Sequence, residues 1–365
     1  MDRRRWTVND GGWWMGKALL SKIWVGGVVL LLWACRPSKI APIQPASAPR
    51  LVAFQNALSQ LVLFDDALQV GESFPISLPA GCIAQRLEAA PRGERLALEV
   101  ECASGPQVLR WEARRRVPHD ATATWAQDAH FLGWSADGQA VYLRVNSLSD
   151  PRLLRWEWDG KIQALPLPPF TYHVDEAPDG RLLFAWTQGV GFGSELAVLT
   201  GGKTTLLKRD VGALFAFARW SPQGDRIALI RFPDNMVPFP AGELVVMQGP
   251  AWGAQVLSDA DAAQGLAPIW SLDGTRILFP RRVAGSGETP PFTNLWTVEV
   301  QRARLWPLTH FQDVHLRSFQ LSPRGETIAL VFERAGRQQA GLVDWEGGDL
   351  LLLPVEEACC ITWVR

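Results

Sequence analysis

Short apolar segments alternate with tight polar turns along most of the chain. Six turns share one pattern, in which serine or alanine is followed by two variable residues and glycine, at 90–93, 135–138, 177–180, 221–224, 271–274 and 322–325. Their glycines are 42 to 51 residues apart. Proline at the second position presets the backbone for a turn and glycine accepts a positive φ, so each pattern predicts a hairpin. A period of this length is typical of a propeller or a solenoid.

The segments that follow each turn predict further strands. A β-rich second strand follows the turn, as at 95–100, 226–231 and 327–332, and a third strand carries Leu-Arg-Trp-Glu at both 109–112 and 154–157. Four short strands per repeat form one propeller blade.

The two ends of the chain predict one more blade. The segment 360–363 is similar to the inner strands that precede the other turns, and 48–54 is similar to a turn and its second strand. Pairing these segments closes the ring and leaves no terminal blade exposed. We therefore predict an all-β, seven-bladed β-propeller over residues 49–365, with six blades as the alternative.

The repeat resembles a known family. Trp220-Ser221-Pro222-Gln223-Gly224, followed by an apolar strand, resembles the WD40-like repeat of TolB-type β-propellers, and the resemblance covers about residues 48–365. Ala89 and Glu176 depart from it where an aromatic residue is expected, and the turns at 136 and 272 lack proline. TolB itself is six-bladed and has an additional α/β domain for which this chain has no room. The resemblance therefore implies an architecture, without TolB's partners.

Residues 1–34 have the layout of a bacterial lipoprotein signal peptide. Basic residues precede an apolar run at 23–34, which is too short to span a bilayer. Leu32-Trp33-Ala34-Cys35 resembles a lipobox, in which Cys35 is lipidated and becomes the mature N-terminus. A cleaved signal without a lipid and an uncleaved anchor are the alternatives, and Met15 is an alternative start.

The next segment, residues 35–48, is rich in proline and predicts a lipid-anchored tether. Both ends of the propeller are expected at the hairpin-turn face, which would direct that face towards the lipid. The formal net charge of −1 gives no electrostatic reason to expect nucleic acid as a partner. We therefore predict an extracytoplasmic protein of the cell envelope, attached to a membrane through its lipid.

The remaining four cysteines are consistent with export. Cys82 and Cys102 lie on either side of one turn and are predicted to form a disulfide across adjacent strands. Cys359 and Cys360 are neighbours in a strand and should point to opposite faces, so we expect two buried thiols. No Cys-x-x-Cys spacing indicates zinc.

Catalytic motifs are harder to identify. The chain has no Gly-x-Ser-x-Gly elbow, and we predict no catalytic residue, metal or cofactor. His130, His173, His310 and His315 lie near inner strands, and some seven-bladed relatives of this repeat family are metal-dependent lyases that use loop histidines. A metal-dependent carbohydrate-active enzyme is therefore the alternative function.

Loop length is the one feature that breaks the repeat. The loops between the second and third strands of blades 4 and 5 are extended and combine proline with apolar residues: Phe232, Met236, Phe239 and Phe292. Stiff loops with aromatic side chains lower the ordering cost of binding. We predict a non-catalytic binding or scaffolding module that holds an envelope protein or extracellular ligand on the membrane-distal face.

Overall fold

The structure, a computed structural model, describes residues 49–91, 95–112, 124–145, 152–235, 241–262, 265–283 and 292–364. Regular structure in these residues is entirely β-strand, arranged in seven four-stranded antiparallel sheets. The predicted all-β, seven-bladed propeller is confirmed. The signal peptide predicted for 1–34, the lipidated Cys35 and the tether lie outside the described residues.

The strands follow one another with short connections. The chain enters the propeller with β1 (Arg50–Gln55), β2 (Gln60–Phe64) and β3 (Val70–Pro75). Blade 1 contains β4 (Ile83–Ala89), β5 (Arg95–Cys102), β6 (Gly105–Glu112) and β7 (Thr124–Gln127). Blade 2 contains β8 (Ala129–Trp134), β9 (Ala140–Val145), β10 (Arg152–Glu157) and β11 (Ile162–Ala164). Blade 3 contains β12 (Thr171–Glu176), β13 (Leu182–Trp186), β14 (Ser194–Thr200) and β15 (Lys203–Asp210).

The second half repeats this order. Blade 4 contains β16 (Ala213–Trp220), β17 (Arg226–Pro233), β18 (Ala241–Gln248) and β19 (Gly253–Asp261). Blade 5 contains β20 (Ile269–Trp270), β21 (Arg276–Val283), β22 (Phe292–Glu299) and β23 (Arg304–Pro307). Blade 6 contains β24 (Val314–Leu321), β25 (Thr327–Arg334), β26 (Arg337–Asp344) and β27 (Leu351–Glu356), and β28 (Ala358–Val364) ends the propeller.

Blade 7 is built from both ends of the chain. Its strand order is β28-β1-β2-β3, with Arg50 opposite Val364 and Phe54 opposite Cys360. The predicted pairing of the two terminal segments is confirmed. In the other blades a hairpin turn joins the first and second strands, so the ends of β1 and β28 lie on this hairpin-turn face. The opposite face, which carries the connections from second to third strands and between blades, is called the loop face below.

The repeated turns have the chemistry that their residues predict. In blade 2 the Gly138 amide donates to the Ser135 carbonyl at 2.9 Å, which closes a four-residue turn. The Ser135 hydroxyl donates to the Asp137 carboxylate at 2.6 Å and accepts from the Ala140 amide at 2.8 Å. Ser271 of blade 5 repeats both contacts, and in blade 4 the Ser221 hydroxyl donates to Asp225 and accepts from the Arg226 amide. A side-chain oxygen thereby satisfies a backbone group that the hairpin leaves unpaired.

Arginines connect successive turns. Arg95 donates to the carbonyl of the turn glycine in blade 2, and Arg181 and Arg226 make the same contact to Gly224 and Gly274 of the blades that follow theirs. Gly274 has a φ of +71°, and a Cβ there would lie 2.3 Å from the Gln223 side chain and 3.1 Å from the Arg226 guanidinium. Glycine is therefore required by both the turn and the neighbouring blade.

The apolar core lies between blades. One cluster joins Leu51 and Val62 of blade 7 to Val331 and Leu353 of blade 6, and other clusters join other adjacent blades in the same way. Trp134, Trp220 and Trp270, which end the inner strands of blades 2, 4 and 5, are all buried in these clusters. Each sheet is thus covered on both sides by its neighbours.

The four cysteines of the propeller form two disulfides. Cys82 is bonded to Cys102, the pairing predicted from their positions around the first turn. Cys359 is bonded to Cys360, so the prediction of two buried thiols is wrong. Ala358 pairs with Gln55 and Cys360 pairs with Phe54, which makes Cys359 the extra residue of a β-bulge. The bulge breaks the alternation of side chains, and both cysteines lie in one apolar cluster.

Removal of the closing strand tests this architecture. Truncation after Ala358 deletes most of β28, uncovers the edge of β1 and opens the clusters on both sides of blade 7. We expect the free energy of unfolding to fall by at least ~3 kcal/mol, because the inner strand of blade 7 and several buried side chains are lost. Guanidinium denaturation measures the free energy of unfolding, and a protein that lacks only Arg365 is the control. Equal midpoints for the two truncated proteins would contradict the closure.

Candidate functional site

The structure places the predicted apolar anchors unevenly. Phe232 lies in β17, is half-buried and packs against the apolar cluster of blades 4 and 5. Phe292 begins β22, is half-buried and lies opposite Val283. Met236 and Phe239 lie outside the described residues. Phe232 therefore contributes to the core as well as to the edge of the loop face.

A loop of blade 3 lies next to the extended loop of blade 4. The loop connects β13 to β14 and spans residues 187–193. The Asp234 carboxylate accepts from the backbone amides of Gly191 and Gly193, at 2.8 and 2.7 Å. Gly193 has a φ of +69°, and a Cβ there would lie 1.9 Å from the Asp210 carbonyl oxygen. These contacts fix the blade 3 loop against the segments on either side of it.

Four apolar side chains of blade 3 and its flanking connections are exposed on the loop face. Phe170 and Val211 lie in the connections that precede β12 and follow β15, and Val190 and Phe192 lie in the 187–193 loop; their exposed fractions are 59%, 75%, 68% and 65%. Among the described residues, Leu272 is the corresponding exposed side chain in a turn of the hairpin-turn face. We call the four residues the apolar loop patch. The alternation of glycine with apolar residues at 189–193 is the sequence signal that could have located it.

A channel runs along the propeller axis. It encloses about 830 Å³ and is lined by residues of all seven inner strands, which are the first strands of the sheets. Register shifts mark β-bulges in six of these strands, β4, β8, β12, β16, β24 and β28. A bulge redirects side chains that strict alternation would place between blades. The channel wall was therefore missed by sequence patterning.

One side of the channel is charged. Arg86 donates from Nε to Glu88 at 2.8 Å and from Nη1 to the Phe131 carbonyl at 3.0 Å. Across blade 2, Arg219 donates to Asp175 at 2.9 Å, and Asp175 also accepts from the Trp220 amide at 2.7 Å. Burial raises the pKa of the Asp175 carboxyl, while the adjacent Arg219 acts in the opposite direction.

The wall on either side of blade 6 is mainly apolar, while blade 6 itself contributes Arg317, Ser318 and Gln320 to the channel. Leu266, Pro268 and Ile269 line it from blade 5, and Cys360 from the closing strand. Gly133 occupies the position in blade 2 that Glu88 and Asp175 occupy in blades 1 and 3, so no side chain separates the two charged pairs there. An amphipathic channel of this volume has the size and chemistry of a small-molecule site.

His173 is held in its neutral form between the charged pairs. Burial lowers its pKa to about 3, and the positive charges of Arg219 and Arg86 act in the same direction. Its Nε2 atom lies 2.5 Å from the Ala218 carbonyl oxygen, to which the neutral ring donates. The imidazole is thus engaged by the neighbouring blade.

The four histidines among the described residues do not converge on a metal site. Nδ1 of His130 lies 2.9 Å from the Glu99 carboxylate, His310 is exposed, and His315 is half-buried in β24. Within the described ranges, no group of three or more histidine, cysteine or acidic side chains is arranged to hold a metal ion. No helix in this part of the chain is long and apolar enough to cross a membrane.

Comparison with known proteins supports the fold. No protein-family model and no curated protein matches the sequence. Among solved structures, a putative 6-phosphogluconolactonase from Bacteroides uniformis has 14% identity and a TM-score of 0.56, with 87% of this chain and 100% of that chain covered. A functionally unknown protein from Desulfotomaculum acetoxidans has 9% identity and a TM-score of 0.55, with 87% and 99% covered.

TolB structures are also among the similar proteins. Putative TolB from Agrobacterium tumefaciens has 20% identity and a TM-score of 0.47, with 63% of this chain and 83% of that chain covered. Identities this low establish the propeller fold alone.

The buried neutral His173 predicts a pH-dependent stability. Its pKa of about 3 in the folded protein lies below the ordinary value of 6.5, so the unfolded state binds more protons between these values. The stability that depends on the neutral His173 is therefore complete above pH ~6.5 and is lost as the pH falls towards ~3. When the pH is lowered from ~7 to ~4.5, we expect the free energy of unfolding of His173→Gln to fall by roughly 2–3 kcal/mol less than that of the parent. Urea denaturation at both pH values measures this. The exposed His310→Gln is the control, and an equal loss in all three proteins would contradict the prediction.

Proposed function

We propose that the protein is a lipid-anchored, extracytoplasmic β-propeller of the bacterial cell envelope that holds a protein partner on its loop face and does not catalyse a reaction. The observation that carries the proposal is the apolar loop patch. Exposed aromatic and aliphatic side chains on a rigid scaffold supply the buried centre of a protein interface.

The location is supported by the cysteines and the N-terminal sequence. Four of the five cysteines form the two disulfides, which persist in oxidising compartments. The fifth is Cys35, which follows the apolar run of the signal-like segment. Both ends of the propeller lie on the hairpin-turn face. A tether attached there leaves the loop face directed away from the lipid and accessible to another envelope protein.

The partner surface extends over neighbouring blades. The apolar loop patch belongs to blade 3, and Asp234 connects its 187–193 loop to the blade 4 segment that continues into Met236 and Phe239. Phe232 and Phe292 border the extended loops of blades 4 and 5. We propose that these loops and the apolar loop patch form one continuous binding surface.

Lipidation is tested by substitution of Cys35. We expect Cys35→Ser to release the protein from the membrane fraction or to stall its processing, because the modified thiol is removed. Fractionation and mass spectrometry of the N-terminal peptide provide the measurement. Membrane retention and an N-terminal peptide mass that both match the parent would refute lipidation.

The binding face is tested by paired surface variants. We expect the double variant Val190→Ser and Phe192→Ser to abolish co-purification of the envelope partner without changing the melting temperature, since both side chains are exposed. Shortening of 236–240 and 284–291 should have the same effect on the partner. Leu272→Ser removes a similarly exposed side chain from the opposite face and is the matched control. Loss of the partner in Leu272→Ser alone would show that the face has been assigned the wrong way round.

A further inference from the structure

Arg144 differs from the other arginines that line the axial channel. It lies in β9, opposite His130 of the inner strand β8, and its side chain contributes to the channel wall. Its Nε atom is buried and has no hydrogen-bond partner among the described residues. Arg86, Arg219 and Arg317 are instead bonded to Glu88, Asp175 and Glu333.

One oxygen of the carboxylate next to Arg144 already has a hydrogen-bond partner. Glu99 of blade 1 attracts the Arg144 guanidinium electrostatically, but its carboxylate oxygen accepts from His130 at 2.9 Å. Burial lowers the pKa of Arg144, and the Glu99 carboxylate acts in the opposite direction. A guanidinium nevertheless remains charged in proteins. Among the described residues, Arg144 thus contributes to the channel wall a charged group with one donor that no protein atom pairs.

Leaving such a group without a partner is costly for stability. A buried donor without a hydrogen bond destabilises the folded state, and an apolar side chain of similar shape would avoid that cost. A bound molecule with acceptor oxygens would supply partners for the donors of this guanidinium that face the channel. The planar fork of a guanidinium matches the two oxygens of a carboxylate or a phosphate group and binds them more strongly than a neutral donor does.

The rest of the channel sets limits on the ligand. The cavity of about 830 Å³ holds a small molecule, and its walls combine the charged pairs of blades 1, 3 and 4 with the apolar side of blade 5. The exposed Gln85 and the ring of His130 are further polar groups of the same cavity. We propose that the axial channel binds a small organic anion, whose carboxylate or phosphate group is held by Arg144. Its residues differ from those of the apolar loop patch, although Arg144 lies near the end of β9 that leads to the loop face.

Calorimetric titration of the propeller with inorganic phosphate and with succinate tests the site. At about 10 mM probe, binding with a millimolar dissociation constant is detectable, and the two probes distinguish a phosphate site from a carboxylate site. We expect at least one probe to bind, and Arg144→Met to weaken that binding by about tenfold or more. The exposed Arg302→Met, outside the channel, is the matched control and should bind as the parent does.

The stability of the ligand-free variant provides the second readout. A residue retained for a ligand should be dispensable for the fold, so Arg144→Met should melt at or above the temperature of the parent. The proposal is overturned if neither probe binds the parent, if Arg144→Met binds as tightly as the parent, or if Arg144→Met melts far below it. Co-purification of the protein partner should be unchanged in Arg144→Met, so failure of the anion site and failure of the loop-face proposal give different results.

Discussion

A propeller blade has two apolar faces, and it is stable only when a neighbour covers each of them. This constraint makes the ring, rather than the blade, the unit that folds. The cluster formed by Leu51, Val62, Val331 and Leu353 belongs half to blade 6 and half to blade 7, so neither blade has a complete core of its own. Pairing of β28 with β1 is consequently the contact on which all the others depend, because it turns an open row of blades into a closed one.

The hairpin turns contribute to the same closure. Arg181 reaches the turn of blade 4 and lies over the ring of Trp220 at 4.6 Å, and Arg226 does the same at Trp270 of blade 5 at 5.1 Å. Each arginine therefore satisfies a glycine carbonyl while its guanidinium stacks on an aromatic ring that helps to fill the core. The repeat thus uses four residue types together at each turn: serine, glycine, tryptophan and arginine. Because these contacts lie on the hairpin-turn face, the loops of the opposite face can differ from blade to blade.

Most of the fold could be predicted from the sequence, because the turn glycines recur and each turn marks one inner hairpin. The terminal blade was predictable for the same reason, since 360–363 repeats the residues that precede the other turns. Cys359 and Cys360 could not be predicted correctly, because a bulge in β28 shifts the side chains out of alternation. Similar bulges hide the channel, whose walls become visible only when all the inner strands are placed around one axis. The apolar loop patch was not predicted, although its 187–193 loop is as long as the connection between β17 and β18 in blade 4, because it lacks the prolines that mark the loops of blades 4 and 5.

The two disulfides have different consequences for the chain. Cys82 and Cys102 are 20 residues apart, and a crosslink of that span restricts the unfolded chain by about 3 kcal/mol in the chain-entropy description. Cys359 and Cys360 are adjacent, so their bond encloses almost no chain and adds little entropy of this kind. Its effect is on local shape, since it replaces two thiols by a single rigid, apolar surface beside the axis, where Cys360 lines the channel. The closing strand thereby contributes a piece of wall whose chemistry depends on the oxidation state of the compartment.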